Sequence, residues 1–434
     1  MNGDSVIVLF RDDLRVHDNP ALVAAVRAGG PVPLFVIDER LCSAARSANR
    51  TAFLVEALAD LRHSLQGLGG QLYLRTGDPV EETMRLVART GARAVHAAEG
   101  FTPRARRVQD RLERACRLER VELALFPGTS VVPPGAVVPS GAAVPSGADH
   151  YRVFTPYWRR WKTLPHRVVE RPPREVRTPI GIPPGTIPAV EKLSTRPLSP
   201  DRARGGETAG RRAAERWLRD HLPSYADGHD DLAGDHTSRL SPYLHFGCIS
   251  ANELVALAAH EPRAEPFVRQ LCWRDFHHQV LAAFPALAER DYRPRPGATW
   301  SDDEPALRAW KEGRTGVPVV DAGMHQLLAE GWMHNWARLI VASYLVRERR
   351  VHWRAGAAHF MDWLLDADVA SNYGNWQWVA GTGNDTRPNR RLNLARQAQR
   401  FDPRGDYVRR YLAVRVRALA RDGRGGPGLA TKER

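Results

Sequence analysis

The sequence predicts an α/β domain joined by a long connector to an all-α domain. Two changes of pattern carry that reading. Over 1–126 short apolar runs alternate with amphipathic stretches, whereas from about Thr208 the apolar residues fall at helical spacing, broken by Gly and Pro, with no strand alternation. Between them, 127–205 is rich in Pro and Gly, which is usual between domains and unusual within one.

The first strand is 6–10, Val6-Ile7-Val8-Leu9-Phe10. No basic stretch precedes it, so it reads as a strand and not as a secretory leader. Phe-Arg-Asp-Asp-Leu-Arg follows where a dinucleotide domain would have GxGxxG, which argues against that domain. Helices are expected over 20–28, 49–67, 79–89 and 102–117, and further strands over 33–37, 71–75, 94–98 and 121–126. Such a βαβα series implies a five-stranded, Rossmann-like parallel sheet covered by helices. In the connector a hexapeptide recurs as VVPPGA, VVPSGA and AVPSGA (131–148). Three copies are too few for a solenoid and read as a loop expansion. The expected divisions are 1–126, 127–205 and 206–421, with 422–434 a disordered tail.

The formal net charge is +14, nearly all of it from Arg, since only four Lys occur. That balance favours a polyanionic partner, unless it reflects a GC-rich genome drifting toward Arg and Ala. No run of eighteen apolar residues is present, so no membrane span is expected. Cys42, Cys116, Cys248 and Cys272 are scattered without CxxC. They read as reduced thiols of a cytoplasmic protein, with no metal site and no disulfide framework. No heptad pattern or self-complementary segment appears, so a monomer without an obligate protein partner is expected.

The richest stretch is 353–385, WRAGAAHFMDWLLDADVASNYGNWQWVAGTGND. It holds four tryptophans, two acids two apart (Asp366, Asp368), Asn372 and a Trp-Gln-Trp triplet. This stretch resembles the flavin-binding core of the photolyase/cryptochrome family. Four further blocks resemble the same family in the same order: FRDDLRVHDNPAL (10–22), YRVFTPYWRRW (151–161), TSRLSPYLHFG (237–247) and RTGVPVVDAGMHQLLAEGWMHNWARLIVASYLV (314–346). The likeness covers about 1–412 and is strongest to the class I cyclobutane pyrimidine dimer photolyases.

The resemblance implies an antenna-chromophore domain at 1–126 and an FAD- and DNA-binding domain at 206–421. Thr237-Ser238-Arg239-Leu240-Ser241 offers hydroxyls and backbone N–H groups at a helix start, which suits a diphosphate, and Tyr225 joins it in the family's flavin-phosphate role. On a helix starting near Trp332, Asn335, Arg338 and Leu339 share one face. Arg338 resembles the residue that lies by the isoalloxazine and pairs with Asp366. Asp366 and Asp368 resemble the holders of the ring edge and ribityl chain, and Asn372 the residue facing flavin N5. Trp300, Trp353 and Trp376 match a three-tryptophan electron relay. Gln270, Trp273, Arg274, His277, Asn335, Trp336, Trp378 and Gln397 match substrate and DNA contacts, with Trp273 and Trp378 as aromatic walls around a flipped lesion. Arg274 is expected to grip phosphate.

The implied function is light-driven repair of cyclobutane pyrimidine dimers in UV-damaged DNA. Excited, reduced FAD passes an electron to the flipped-out dimer and recovers it after the ring splits, with Gln270, Asn335 and Asn372 at the reacting centre. The (6-4) photolyases carry a histidine pair where this chain has Asn335 and Leu339, which disfavours that branch, whereas Gln270 stands where many cyclobutane enzymes have Glu. A cryptochrome-type photoreceptor without repair remains the other alternative. His229, His277 and Leu394 depart from the family pattern. For the antenna, EGFTPRARR (99–107) resembles the 8-hydroxy-5-deazaflavin branch, with Pro103 where an acid would hold a pterin. Methenyltetrahydrofolate and no antenna at all stay open.

Overall fold

The computed structural model describes residues 5–38, 47–137, 149–295, 299–384 and 392–421, with side chains to 413 in the last helix. The first part alternates β1 (Ser5–Phe10), α1 (Pro20–Arg27), β2 (Gly30–Ile37), α2 (Ala48–Gly67), β3 (Tyr73–Thr76), α3 (Pro79–Thr90), β4 (Ala94–Ala98), α4 (Pro103–Leu118) and β5 (Glu122–Phe126). All five strands are parallel, in the order β3-β2-β1-β4-β5. Helix starts are set by side-chain caps: Asn19 accepts from Leu22 N–H, Asp78 from Val80 and Glu81, and Thr102 from Ala105, each followed by Pro.

β2 starts three residues before the expected 33–37. Pro31 and Pro33 are tolerated there because β3 pairs with β2 only from Leu34 onward, so the missing N–H groups cost no ladder bond. The other strands and helices fall within two residues of expectation.

The rest is helical: α5 (Phe154–Trp161), α6 (Val190–Leu193), α7 (Glu207–Asp220), α8 (Tyr225–Gly228), α9 (Ser241–His245), α10 (Ala251–Ala258), α11 (Glu265–Ala283), α12 (Glu304–Lys311), α13 (Pro318–Glu330), α14 (Asn335–Ser343), α15 (Trp353–Trp363), α16 (Val369–Ala380), α17 (Leu394–Phe401) and α18 (Asp406–Arg421). No helix among the described residues is long and apolar enough to cross a membrane.

One apolar core runs without a break from Val6, Val8 and Phe10 of the sheet into Trp217, Leu254, Leu271 and Phe276 of the helical half. A second core, around Val320, Val341, Trp353 and Trp376, belongs to α13–α16. The halves touch closely at Gly247 (φ 63°), where a Cβ would meet Asp12 O at 2.0 Å.

The connector is not a passive spacer. Val131 and Val132, in the first hexapeptide copy, are buried, and their N–H groups donate to buried Asp275 of α11 (3.1 and 2.9 Å). Trp161 Nε1 of α5 donates to the same carboxylate (3.0 Å). That copy of the loop expansion is therefore tied into the fold. The copies at 138–148 and the tail at 422–434 lie outside the described residues, as does Cys42. Cys116, Cys248 and Cys272 are free and buried.

Candidate functional site: a flavin recess between α14, α15 and α16

α14, α15 and α16 line a partly open recess. α14 contributes Asn335, Arg338 and Leu339, one face of the helix as the spacing predicts. The helix starts at Asn335 and not near Trp332, because the His334 side chain caps it by accepting from Trp336 N–H. Asp366, Asn372 and Trp376 line the same space.

Arg338 Nη2 binds both Asp366 oxygens (3.1 and 2.8 Å), and its Nε donates to Met333 O. Asp368 caps α16 by accepting from Ser371 N–H (2.7 Å). Burial works against its charge. His278 at 3.7 Å, Arg274 and the Ser371 N–H together outweigh burial and hold this carboxyl well below its ordinary range. Asn372 donates its amide to Ala357 O (3.1 Å), which leaves its carbonyl oxygen as an acceptor.

Trp376 is buried against Gly356, where a Cβ would lie 2.1 Å from the indole. Trp353, one turn earlier on α15, is fully buried and donates Nε1 to Asp291 (2.9 Å). Trp300 is half-buried, 4.9 Å from the His352 ring, which lies 5.6 Å from Trp353. Trp376 lines the recess, while Trp353 is buried and Trp300 half-buried.

In 237–241, α9 starts only at Ser241 and has five residues, and no side chain caps it. The helix start expected of Thr237 and Ser238 is therefore not there. Donors must come from hydroxyls and single N–H groups. Thr237 Oγ1 is buried without a protein partner, as expected for a hydroxyl awaiting a ligand. Leu240 and Tyr225 are buried beside this loop, and His229 hydrogen-bonds Tyr225 O (2.9 Å).

The substrate candidates divide. Gln270 and Asn335 are exposed, and Trp378 and Gln397 half-buried. Trp273 stacks on Phe154 (3.7 Å, 5°), so one of its faces is covered. Arg274 is half-buried and donates to the carbonyls of Thr129 and Leu244. Trp336 is tied to Asp230 (2.6 Å) and stacked on Phe401. His277 is buried rather than at a DNA face. Burial pushes its pKa down to about 4, and it packs on Gly374 and touches Asn375 at 3.4 Å. Leu394 fills the second core at the start of α17.

Several site residues escaped the sequence. Asn375 lines the recess one turn after Asn372, and that spacing was a usable signal. Phe360, Ala342 and Val379 give it apolar walls but read as ordinary core. His278 and Asp291 gave no local sign. Among the described residues no group of three or more His, Cys, Asp or Glu could hold a metal.

The recess thus joins apolar walls to an Arg338–Asp366 edge, the kind of slot that takes a planar ring with a polar rim. Residues 6–176 match the DNA photolyase family model and 267–420 the FAD-binding domain of DNA photolyase. The chain is 50% identical over 415 residues to a deoxyribodipyrimidine photo-lyase of Streptomyces griseus, covering 93% of this chain and 88% of that one. It superposes on a class III photolyase from Agrobacterium tumefaciens with TM-score 0.86 at 33% identity (95% and 87% covered). A cryptochrome from Synechocystis gives TM-score 0.86 at 27% identity (94% and 88% covered). This chain belongs to the DNA photolyase/cryptochrome family, and its helical half is an FAD-binding domain.

Proposed function

We propose that this chain is a DNA photolyase that uses light to split cyclobutane pyrimidine dimers. The observation that carries the reading is the single recess on which Asn335, Arg338, Asp366, Asn372 and Trp376 converge. When bound there in its reduced form, FAD supplies the excited electron donor. The chain's own residues bind, orient and exclude water. Arg338 and Asp366 fix the polar edge of the ring, while Leu339, Phe360 and Val379 keep the slot apolar. Asn372, whose amide N–H is spent on Ala357 O, would offer its carbonyl oxygen to a donor on a bound reduced flavin. Leu339, an alkyl group where an imidazole acid would be needed, favours cyclobutane dimers over (6-4) products.

Exposed Gln270 and Asn335 suit hydrogen bonding to a flipped base, and half-buried Trp273 and Trp378 suit stacking worth ~1–3 kcal/mol. The relay runs Trp300–Trp353–Trp376. The Asp291 carboxylate on the Trp353 N–H favours positive charge on that indole as it passes. The net charge of +14 suits a DNA partner.

The antenna belongs at the carboxyl ends of β1 and β4, where the strand order reverses. Asp12 is exposed there. Arg104 pairs with Asp38 nearby. A planar, hydroxylated deazaflavin fits these mixed charges, and release of the bound chromophore by denaturation identifies it.

The deciding test takes oligonucleotides with one cyclobutane thymine dimer or one (6-4) product, with photoreduced protein, in blue light and in darkness. Light-dependent loss of the cyclobutane dimer alone is expected. If neither is lost while the flavin still photoreduces, the photoreceptor reading replaces this one.

A further inference from the structure

Trp332 lies between α13 and α14, after Gly331 closes α13 and before α14 begins. It is 8% exposed. Its Nε1 donates to Ser241 Oγ (3.1 Å), and the Arg239 guanidinium sits over its ring at 4.4 Å. Arg239 adopts a left-handed backbone (φ 52°), uncommon for a side-chain-bearing residue. Its guanidinium is bound by Asp235 (2.5 Å) and Glu330 (2.7 Å). Two carboxylates therefore neutralise the one cation of the loop.

An indole N–H only donates, so Ser241 Oγ must accept from it. The serine proton is then left to point elsewhere. A phosphate oxygen only accepts, so a serine locked as a donor is the partner it needs. Trp332 thus does two things: it sets the sense of the Ser241 hydroxyl, and its face holds Arg239 in a conformation the backbone disfavours.

We propose that Trp332 is a positioning residue for the flavin diphosphate, acting through Ser241 and Arg239 without touching the ligand. The inference rests on reading 237–241 as the phosphate loop. Apoprotein is titrated with FAD and with riboflavin, which lacks the diphosphate, following flavin fluorescence. Trp332→Phe keeps an aromatic ring under Arg239 but removes the N–H together with the pyrrole part of the indole, so riboflavin binding is needed to separate loss of the hydrogen bond from loss of packing. The variant is expected to weaken FAD binding about five- to tenfold, the worth of one hydrogen bond, with riboflavin unchanged. Ser241→Ala should show the same loss, and the double variant no more than either alone. Unchanged riboflavin affinity doubles as the check on folding. Wild-type FAD affinity in Trp332→Phe, equal loss for both ligands, or additive losses overturn the proposal. If Ser241→Ala itself binds FAD normally, the phosphate-loop reading fails first, and this inference with it.

Discussion

Arg338 and Asp366 are the pair on which the flavin slot turns at the level of single residues. Asp366 is 4% exposed and Arg338 25%, so removing the cation strands a carboxylate inside the protein. Arg338→Gln is expected to cost about 3–5 kcal/mol, read by denaturant unfolding of the apoprotein, and to weaken flavin binding. His359 gives a pH-dependent counterpart. Burial pushes its pKa down to about 3, and its Nε2 has no partner. The folded state therefore refuses a proton that the unfolded chain accepts below the ordinary value of 6.5. Stability from this site is complete above about pH 6.5 and is lost as pH falls toward 3, by roughly 2 kcal/mol between pH 6.5 and 5. His359→Leu, packed against Trp310 and Trp363, should flatten that part of the profile of thermal midpoint against pH. His245, His277 and His334, each pushed by burial to about 4, act in the same direction and leave a residual slope.

α15 and α16 meet through Gly356 and Trp376. Gly356→Ala would drive a methyl into the indole, so the helices must part. The expected cost is about 1–3 kcal/mol in thermal unfolding, with slower flavin photoreduction as Trp353 and Trp376 separate. The elements themselves were largely legible in the sequence. The strand at 94–98 agrees to the residue, because an apolar run between two Gly-bounded helices leaves little freedom. Helix starts at the site were harder. Trp332-Met333-His334 carries apolar residues at helical spacing, yet His334 turns back to cap α14, and nothing local distinguishes a capping His from a helical one. The linear motifs were readable because Asn335, Arg338, Asp366 and Asn372 carry their chemistry within short segments. The carbonyls that hold Arg274, those of Thr129 and Leu244, lie 145 and 30 residues off in the chain, so no local pattern announces them. Trp332 and Ser241 stand 91 residues apart, and Trp353 and Asp291 stand 62 apart, so those partnerships exist only in the fold.

In the whole molecule, the sheet half reaches into the flavin site. Asn49 Nδ2 of α2 donates to Trp363 O (2.7 Å), and Arg50 Nη1 to Met361 O and to Leu364 O (3.0 Å). These bonds anchor the turn that carries Asp366 and Asp368. Replacing both residues with Ala should release FAD while the sheet half stays folded. The charged donor alone is worth about 1.5–3 kcal/mol, and FAD retained on gel filtration with far-UV circular dichroism is the readout. The same anchors set a timetable for synthesis. Arg50 leaves the ribosome 311 residues before Met361. At about 5–20 residues per second, the earlier helix waits roughly 15–60 s for the strand of chain it must hold. The sheet half has time to mature on its own while the nascent chain is still growing, but the flavin has no finished berth until synthesis is nearly over. Cofactor loading is thus a late event in the life of each molecule, and a cell short of flavin would accumulate a protein complete in its architecture yet blind.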